Sequence, residues 1–209
     1  MADLQVLEYN VGDIGTNCYL LVNTSTKETI IVDPGGDAPV LEKNIAKLEL
    51  KPVAVFLTHA HYDHAHHAKL LKEKYQIPVY VHEAERKTLG DVRMNASAMF
   101  GNPETYEADV FVKDGQQLSV AGFDIRVLHT PGHTPGGACY YFAENKTLIS
   151  GDSLFCGSIG RTDFPGGSMS QLVRSIREKV LVLPRDTKVY PGHMGTTTIG
   201  TEADYNPFL

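Results

Sequence analysis

The stretch Val53-Ala54-Val55-Phe56-Leu57-Thr58-His59-Ala60-His61-Tyr62-Asp63-His64 runs from an apolar, β-branched segment straight into three imidazoles and a carboxylate. Residues 53–57 read as a buried strand. A strand that ends in a ligand cluster is how α/β proteins present a metal at a sheet edge. Imidazole nitrogen and carboxylate oxygen are the donors that borderline cations such as Zn²⁺ and Fe²⁺ prefer. In extended backbone His59 and His61 point to the same side. A helix starting near Tyr62 turns Asp63 and His64 onto another side, so one segment can serve two adjacent metal positions. The competing reading is a solvated histidine-rich loop, since His66 and His67 show that this chain places histidines outside any motif.

Three later positions complete a set. His133 lies in Thr130-Pro131-Gly132-His133-Thr134-Pro135-Gly136-Gly137, after the strand-like 123–128. Asp152 follows the apolar Thr147-Leu148-Ile149, and His193 lies in Tyr190-Pro191-Gly192-His193 after Lys188-Val189. Each candidate ligand follows a short apolar strand and sits beside glycine or proline, the residues that hold tight turns.

His-x-His-x-Asp-His, then Gly-His, Gly-Asp and Gly-His, resembles the ligand pattern of the metallo-β-lactamase-fold hydrolases. The stretches 15–20, 32–36, 157–167 and the closing Asn206-Pro207-Phe208-Leu209 are similar to the short bacterial glyoxalase II-like (hydroxyacylglutathione hydrolase-like) branch. The resemblance runs over roughly residues 4 to 209. It implies an α/β fold, a four-layer αββα sandwich of two mixed β-sheets with helices outside. It places His59, His61 and His133 on one metal and Asp63, His64 and His193 on a second, with Asp152 bridging both. Asp33 is implied to steady the histidine loop from behind; a turn-forming role before Pro34-Gly35-Gly36 is the alternative.

The implied activity is hydrolysis by a binuclear metal enzyme. Two cations lower the pKa of a shared water from about 15.7 towards 7, and the resulting hydroxide attacks a carbonyl carbon. Asp63 and Asp152 are the carboxylates expected to take part, Asp63 by orienting the hydroxide. A thioester suits this route because thiolate leaves readily. The expected substrate is therefore a small-molecule thioester, S-lactoylglutathione or a related acylthiol. Two divalent ions are expected, Zn²⁺ first, with Fe or Mn²⁺ compatible with the same donors. Arg161 is the expected substrate contact. A Tyr that the family carries two positions later is Asp163 here, another is Gly195, and extra C-terminal helices are not expected; glutathione specificity is thereby put in question. The alternatives are a mononuclear iron persulfide dioxygenase, using His59, His133 and Asp152, and a lactonase-type hydrolase. A β-lactamase fits less well, because those enzymes are exported and no export signal is visible.

A non-catalytic metal-binding module has no need for all seven ligands, and length and composition agree with a globular enzyme. With 209 residues, 42% of them hydrophobic and 21% charged, the chain reads as one globular domain spanning 1–209. A net charge of −6 argues against a nucleic-acid surface. No run of about 18 apolar residues suggests a membrane span. Cys18, Cys139 and Cys156 form no disulfide framework, and with no signal peptide in evidence a cytoplasmic location is expected.

Periodicity predicts strands at 4–9, 17–23, 28–32, 52–57, 78–81, 109–112, 117–120, 123–128, 138–143, 147–150 and 187–190. Helices are expected at 37–50, capped by Asp37, at 63–75 and at 168–180, with short helices within 84–106. His66 and His67 read as half-exposed helix positions, His82 and His129 as structural histidines, and Cys156 as buried.

Overall fold

The computed structural model describes residues 3–100 and 102–209. In chain order the first half runs β1 (Leu4–Val11), β2 (Thr16–Asn23), β3 (Glu28–Val32), α1 (Ala38–Lys47), β4 (Lys51–Phe56), α2 (Tyr62–Ala65), α3 (Ala68–Tyr75), β5 (Val79–His82), α4 (Arg86–Gly90) and β6 (Val110–Val112). The second half runs β7 (Gln117–Val120), β8 (Phe123–His129), β9 (Ala138–Phe142), β10 (Thr147–Gly151), β11 (Leu154–Phe155), β12 (Ser158–Ile159), α5 (Met169–Ser175), β13 (Lys188–Pro191), β14 (Thr197–Thr198) and α6 (Ile199–Tyr205).

Strands β1 to β6 form one sheet in sequence order, antiparallel through β3 and parallel from β3 to β6. The other sheet has the order β14-β13-β10-β9-β8-β7 and is also mixed. Side chains alternate faces along a strand, and that alternation divides the core. Leu20, Val22, Ile31 and Val55 pack outward on Leu41 of α1 and Leu71 of α3. Their neighbours Tyr19, Leu21, Ile30, Val32 and Phe56 pack inward on Ile125, Val127 and Tyr140 of the second sheet. The outer face of that sheet, with Cys139, Tyr141, Leu148 and Val189, is covered by Leu172, Ile176 and Ile199. Strands covered on both faces read as continuous apolar runs, as β2 does. The result is the expected αββα sandwich.

Topology also places the ligand loops. Strand β8 is antiparallel to β9 and β9 to β10, while β10 is parallel to β13. Strands β8, β10 and β13 therefore run the same way and end at one edge. The end of β4 meets them across the sandwich, where Ala138 N–H donates to the Thr58 carbonyl at 2.9 Å.

The helices depart from expectation in physically legible ways. Asp37 does not cap α1 with its side chain: it sits in the left-handed region at φ 51° and accepts from Gly12 N–H at 2.9 Å. The free Ala38 N–H donates instead to His67 Nδ1 at 3.0 Å. The helix expected over 63–75 is broken at His66–His67. A Cβ on Gly35 would lie 1.4 Å from the Asp63 carbonyl oxygen, so the Pro34-Gly35-Gly36 loop occupies the place where that carbonyl would accept its helical partner. His67 N–H turns to the Pro34 carbonyl at 3.0 Å. The helix over 168–180 is capped by Ser168 and finishes in a π-helical turn at Ile176–Val180. Cys156 is exposed, not buried, because it sits in the tight turn of the β11–β12 hairpin. That hairpin, β14 and α6 carry too little periodicity to be visible in sequence. Among the described residues no helix is long and apolar enough to cross a membrane.

Candidate metal centre

All seven expected ligand positions converge at the shared strand edge. His59, His61 and His133 offer donor atoms within 4.8 Å of one another, as do Asp63, His64 and His193. Asp152 stands between the two sets. Its Oδ1 is 3.4 Å from His64 Nε2, and its Oδ2 is 3.5 Å from His133 Nε2 and 3.7 Å from His193 Nε2.

The donor chemistry fits cations. His61 Nδ1 lies 3.1 Å from His59 Nε2 and 2.9 Å from His133 Nε2, all buried. A single proton on Nδ1 satisfies only one of those contacts, so lone pairs face lone pairs unless a cation sits among them. His64 Nε2 and Asp152 Oδ1 are likewise buried without a hydrogen-bond partner. A Cβ on Gly192 would lie 2.2 Å from Asp152 Oδ1 and 2.7 Å from His64 Cε1, which explains the glycine before His193.

The two sets differ electrostatically. Burial, reinforced by neighbouring imidazoles, holds His59 and His61 well below the usual histidine range, and burial also lowers His133. These rings are neutral and present lone pairs, the form a metal binds. Burial pulls His64 down too, but Asp63, Asp152 and Asp33 outweigh it and push the ring up to about 10. Burial would raise Asp63; His64 and His193 win and hold its carboxyl below the usual range.

Partners behind the ligands set their orientation. Asp33, buried and at φ 49°, accepts from Thr58 N–H at 2.8 Å, from Thr58 Oγ1 at 2.7 Å and from His64 Nδ1 at 2.9 Å. The last contact leaves His64 Nε2 facing the centre. Asp33 thus makes both the turn and the contact weighed from sequence. Thr16 Oγ1 donates to Asp63 Oδ2 at 2.8 Å, and Asn17 Nδ2 holds the Pro191 and Met194 carbonyls on either side of His193. His133 Nδ1 donates to the Arg161 carbonyl at 2.6 Å, leaving its Nε2 inward.

One functional residue escaped the sequence reading. Glu85 is fully buried after β5, in a segment with no clear period. Its Oε2 accepts from Ala60 N–H at 2.9 Å and its Oε1 from Gly136 N–H at 2.7 Å. It therefore ties the loop of His59 and His61 to the loop of His133. One of two acidic residues after a strand gives no local signal; only tertiary structure shows what it joins.

Arg161 is where the expectation meets a complication. Its side chain lines the cavity over the ligands, but Nε and Nη2 pair with Asp163 Oδ1 and Oδ2, each at 2.6 Å, and its guanidinium lies 4.3 Å from the Phe164 ring centre. The cavity holds about 360 Å³, within the range of small-molecule sites.

A strand-edge cluster of five histidines and two aspartates on an αββα sandwich defines a metallo-hydrolase scaffold. The chain belongs to the metallo-β-lactamase superfamily, whose family model matches residues 11–193. It is 42% identical to a probable metallo-hydrolase of Bacillus subtilis, YqgX, over 95% of this chain and 94% of that one. It is 39% identical to the hydroxyacylglutathione hydrolase GloC of Haemophilus influenzae, over 92% of each. Among solved structures, the BLEG-1 B3 metallo-β-lactamase superposes with a TM-score of 0.94 at 43% identity, covering 98% of this chain and 99% of that one. A di-iron-bound form of TTHA1623 superposes at 0.87 with 34% identity, covering 97% and 100%.

Proposed function

We propose that this protein is a binuclear metal-dependent thioester hydrolase. The observation that carries the reading is the pair of complete three-residue sets with Asp152 between them. A mononuclear dioxygenase needs only two histidines and one carboxylate with open positions, and the carefully supported Asp63–His64–His193 set has no part in that chemistry. Similarity to GloC supports a thioester as substrate.

His59, His61 and His133 would hold one divalent ion and Asp63, His64 and His193 the other, with Asp152 shared. Bound there, such cations would acidify water and polarise a carbonyl, so that no serine or cysteine nucleophile is required. The chain's own residues do the rest. The His59, His61 and His133 rings arrive neutral. Asp33 and the Arg161 carbonyl fix which nitrogen of His64 and His133 points inward. Asp63, its Oδ2 held by Thr16, lines the cavity and is placed to orient a water near the centre by accepting its hydrogen bond. Apolar walls limit water around the substrate. Zn²⁺ is our first assignment; the di-iron form of TTHA1623 supports iron as the second.

Similarity to the BLEG-1 enzyme supports a second reading, hydrolysis of a β-lactam amide at the same centre. The deciding experiment measures metal content and turnover of S-lactoylglutathione and a chromogenic cephalosporin on one anaerobic sample. About two metals per chain with thioester cleavage independent of oxygen is the expected result. Faster cephalosporin cleavage transfers the protein to the second reading. One iron per chain with no hydrolysis overturns both.

A further inference from the structure

Beyond the metal ligands, Ser158 and Arg161, the cavity walls are apolar, with Ile14, Phe100, Phe155, Ile159, Phe164 and Met194 lining it. Ile14 is 41% exposed, Phe100 47% and Met194 59%, so large apolar side chains on three separate segments stand open to water at one mouth. Such a concentration marks a place where an apolar partner is buried. Their placement is enforced. Met194 projects from a left-handed backbone at φ 68°, with its carbonyl held by Asn17, and Phe100 stacks on Tyr62 at 4.9 Å.

The charge at this mouth points the same way. Arg161 is the one lysine or arginine among the described lining residues. Asp163 grips it with both oxygens, and that contact holds the Asp163 carboxyl down at about 2, so Asp163 stays ionised. The pair is exposed and adds little to stability. Its consequence is electrostatic: a substrate carboxylate arriving at Arg161 exchanges one carboxylate for another and finds Asp163 still charged beside it. Glutathione carries carboxylates at both ends of the tripeptide, and neither meets an unpaired cation here. The carboxylate of a β-lactam faces the same lack.

We propose that the site selects uncharged thioesters with an apolar or aromatic arm over glutathione thioesters, with Ile14, Phe100, Phe164 and Met194 as the specificity surface. This rests on the thioester hydrolase reading above.

The test compares kcat/KM of the metal-loaded protein for two substrates, S-lactoylglutathione and the phenylacetyl thioester of N-acetylcysteamine. The neutral aromatic thioester is expected to be preferred by about tenfold or more. Met194→Ala is expected to raise its KM several-fold with kcat little changed, and to raise KM for S-lactoylglutathione by less. A preference for S-lactoylglutathione, with a KM that rises in Arg161→Ala, overturns the proposal while leaving the hydrolase reading intact. Cleavage of neither substrate removes the hydrolase reading. The cavity is then judged by calorimetry with the two corresponding non-cleavable thioethers: tighter binding of the neutral one supports the surface assigned here, and equal or weaker binding overturns it.

Discussion

The three-imidazole position and the Asp63–His64–His193 position lie side by side yet are built on opposite principles. The first collects neutral rings, deprotonated by burial; Glu85 holds its loops through backbone N–H groups, and Asp33 reaches His59 only indirectly, through Thr58. The second collects charge: Asp33 acts directly on the His64 ring, and carboxylates keep His64 protonated until a cation displaces the proton. A neutral set favours binding by offering lone pairs at no proton cost; a charged set favours it by Coulombic attraction. Asp152 belongs to both.

Breaking the shared element has the largest expected effect. Asp152→Ala should lower metal content at both positions and reduce hydrolysis by about a thousandfold or more, about 4 kcal/mol of transition-state stabilisation. His59→Ala and His193→Ala should each strip one position. Elemental analysis beside turnover checks all three; full turnover in a metal-depleted Asp152→Ala protein would refute the mechanism.

The next effect separates the two supports. Glu85→Gln places an amide N–H₂ against one of two backbone N–H groups and should weaken the three-imidazole position by about 10–100-fold. Asp33→Asn should do the same to the other position by releasing His64. Competition against a chromophoric chelator resolves the two affinities, and circular dichroism verifies the fold. If both substitutions weaken the same position, the division drawn here is wrong.

That division also marks how far the sequence could be read. Ligands announce themselves because they cluster after apolar strands, four of them within six residues and His133, Asp152 and His193 each directly after a glycine. Asp33 is visible through Pro34-Gly35-Gly36. The sandwich itself is legible only through the family resemblance, since the pattern of strands and helices alone permits other α/β layouts. Glu85 could not be found, since its partners are main-chain groups of loops 25 and 51 positions away. The break at His66–His67 was hidden for a similar reason: helical spacing continues through it, and what stops the helix is the Gly35 backbone from another part of the chain. The Asp163 grip on Arg161, by contrast, joins side chains only two residues apart, a separation over which sequence can suggest a contact.

A third histidine group sharpens the comparison from outside the centre. His82 and His129 stack with ring centres 3.9 Å apart at 12°, near Asp114 and Lys179. Their ring nitrogens have separate partners: His82 Nδ1 accepts from Ala84 N–H at 3.3 Å and His129 Nε2 meets the Pro135 carbonyl at 2.9 Å. Burial, with His129 second, lowers His82 to about 4. The folded protein therefore resists a proton that the unfolded chain accepts from about pH 6.5 downward. The stability that His82 contributes is present above that pH and lost as pH falls towards 4. Metal-free wild type should lose thermal stability more steeply over this window than metal-free His82→Phe, and parallel pH profiles would show that the pair is not the source.

The smallest effect concerns the scaffold behind Asp33. His67 caps α1 through its Nδ1, the place Asp37 leaves open by turning to Gly12. An N-terminal cap contributes about 1 kcal/mol, and His67 is half-buried rather than central, so His67→Ala should lower Tm by about 2–4 °C for a chain of this size. The Pro34-Gly35-Gly36 loop is held independently, by the Asp33 carboxylate and by Gly35 against Asp63. Metal affinity in His67→Ala should therefore stay within about twofold of wild type. A larger loss at the Asp63–His64–His193 position would mean that α1 and its cap help to hold the Asp33 turn, and that this half of the centre depends on the outer helix layer as well as on the sheet edge.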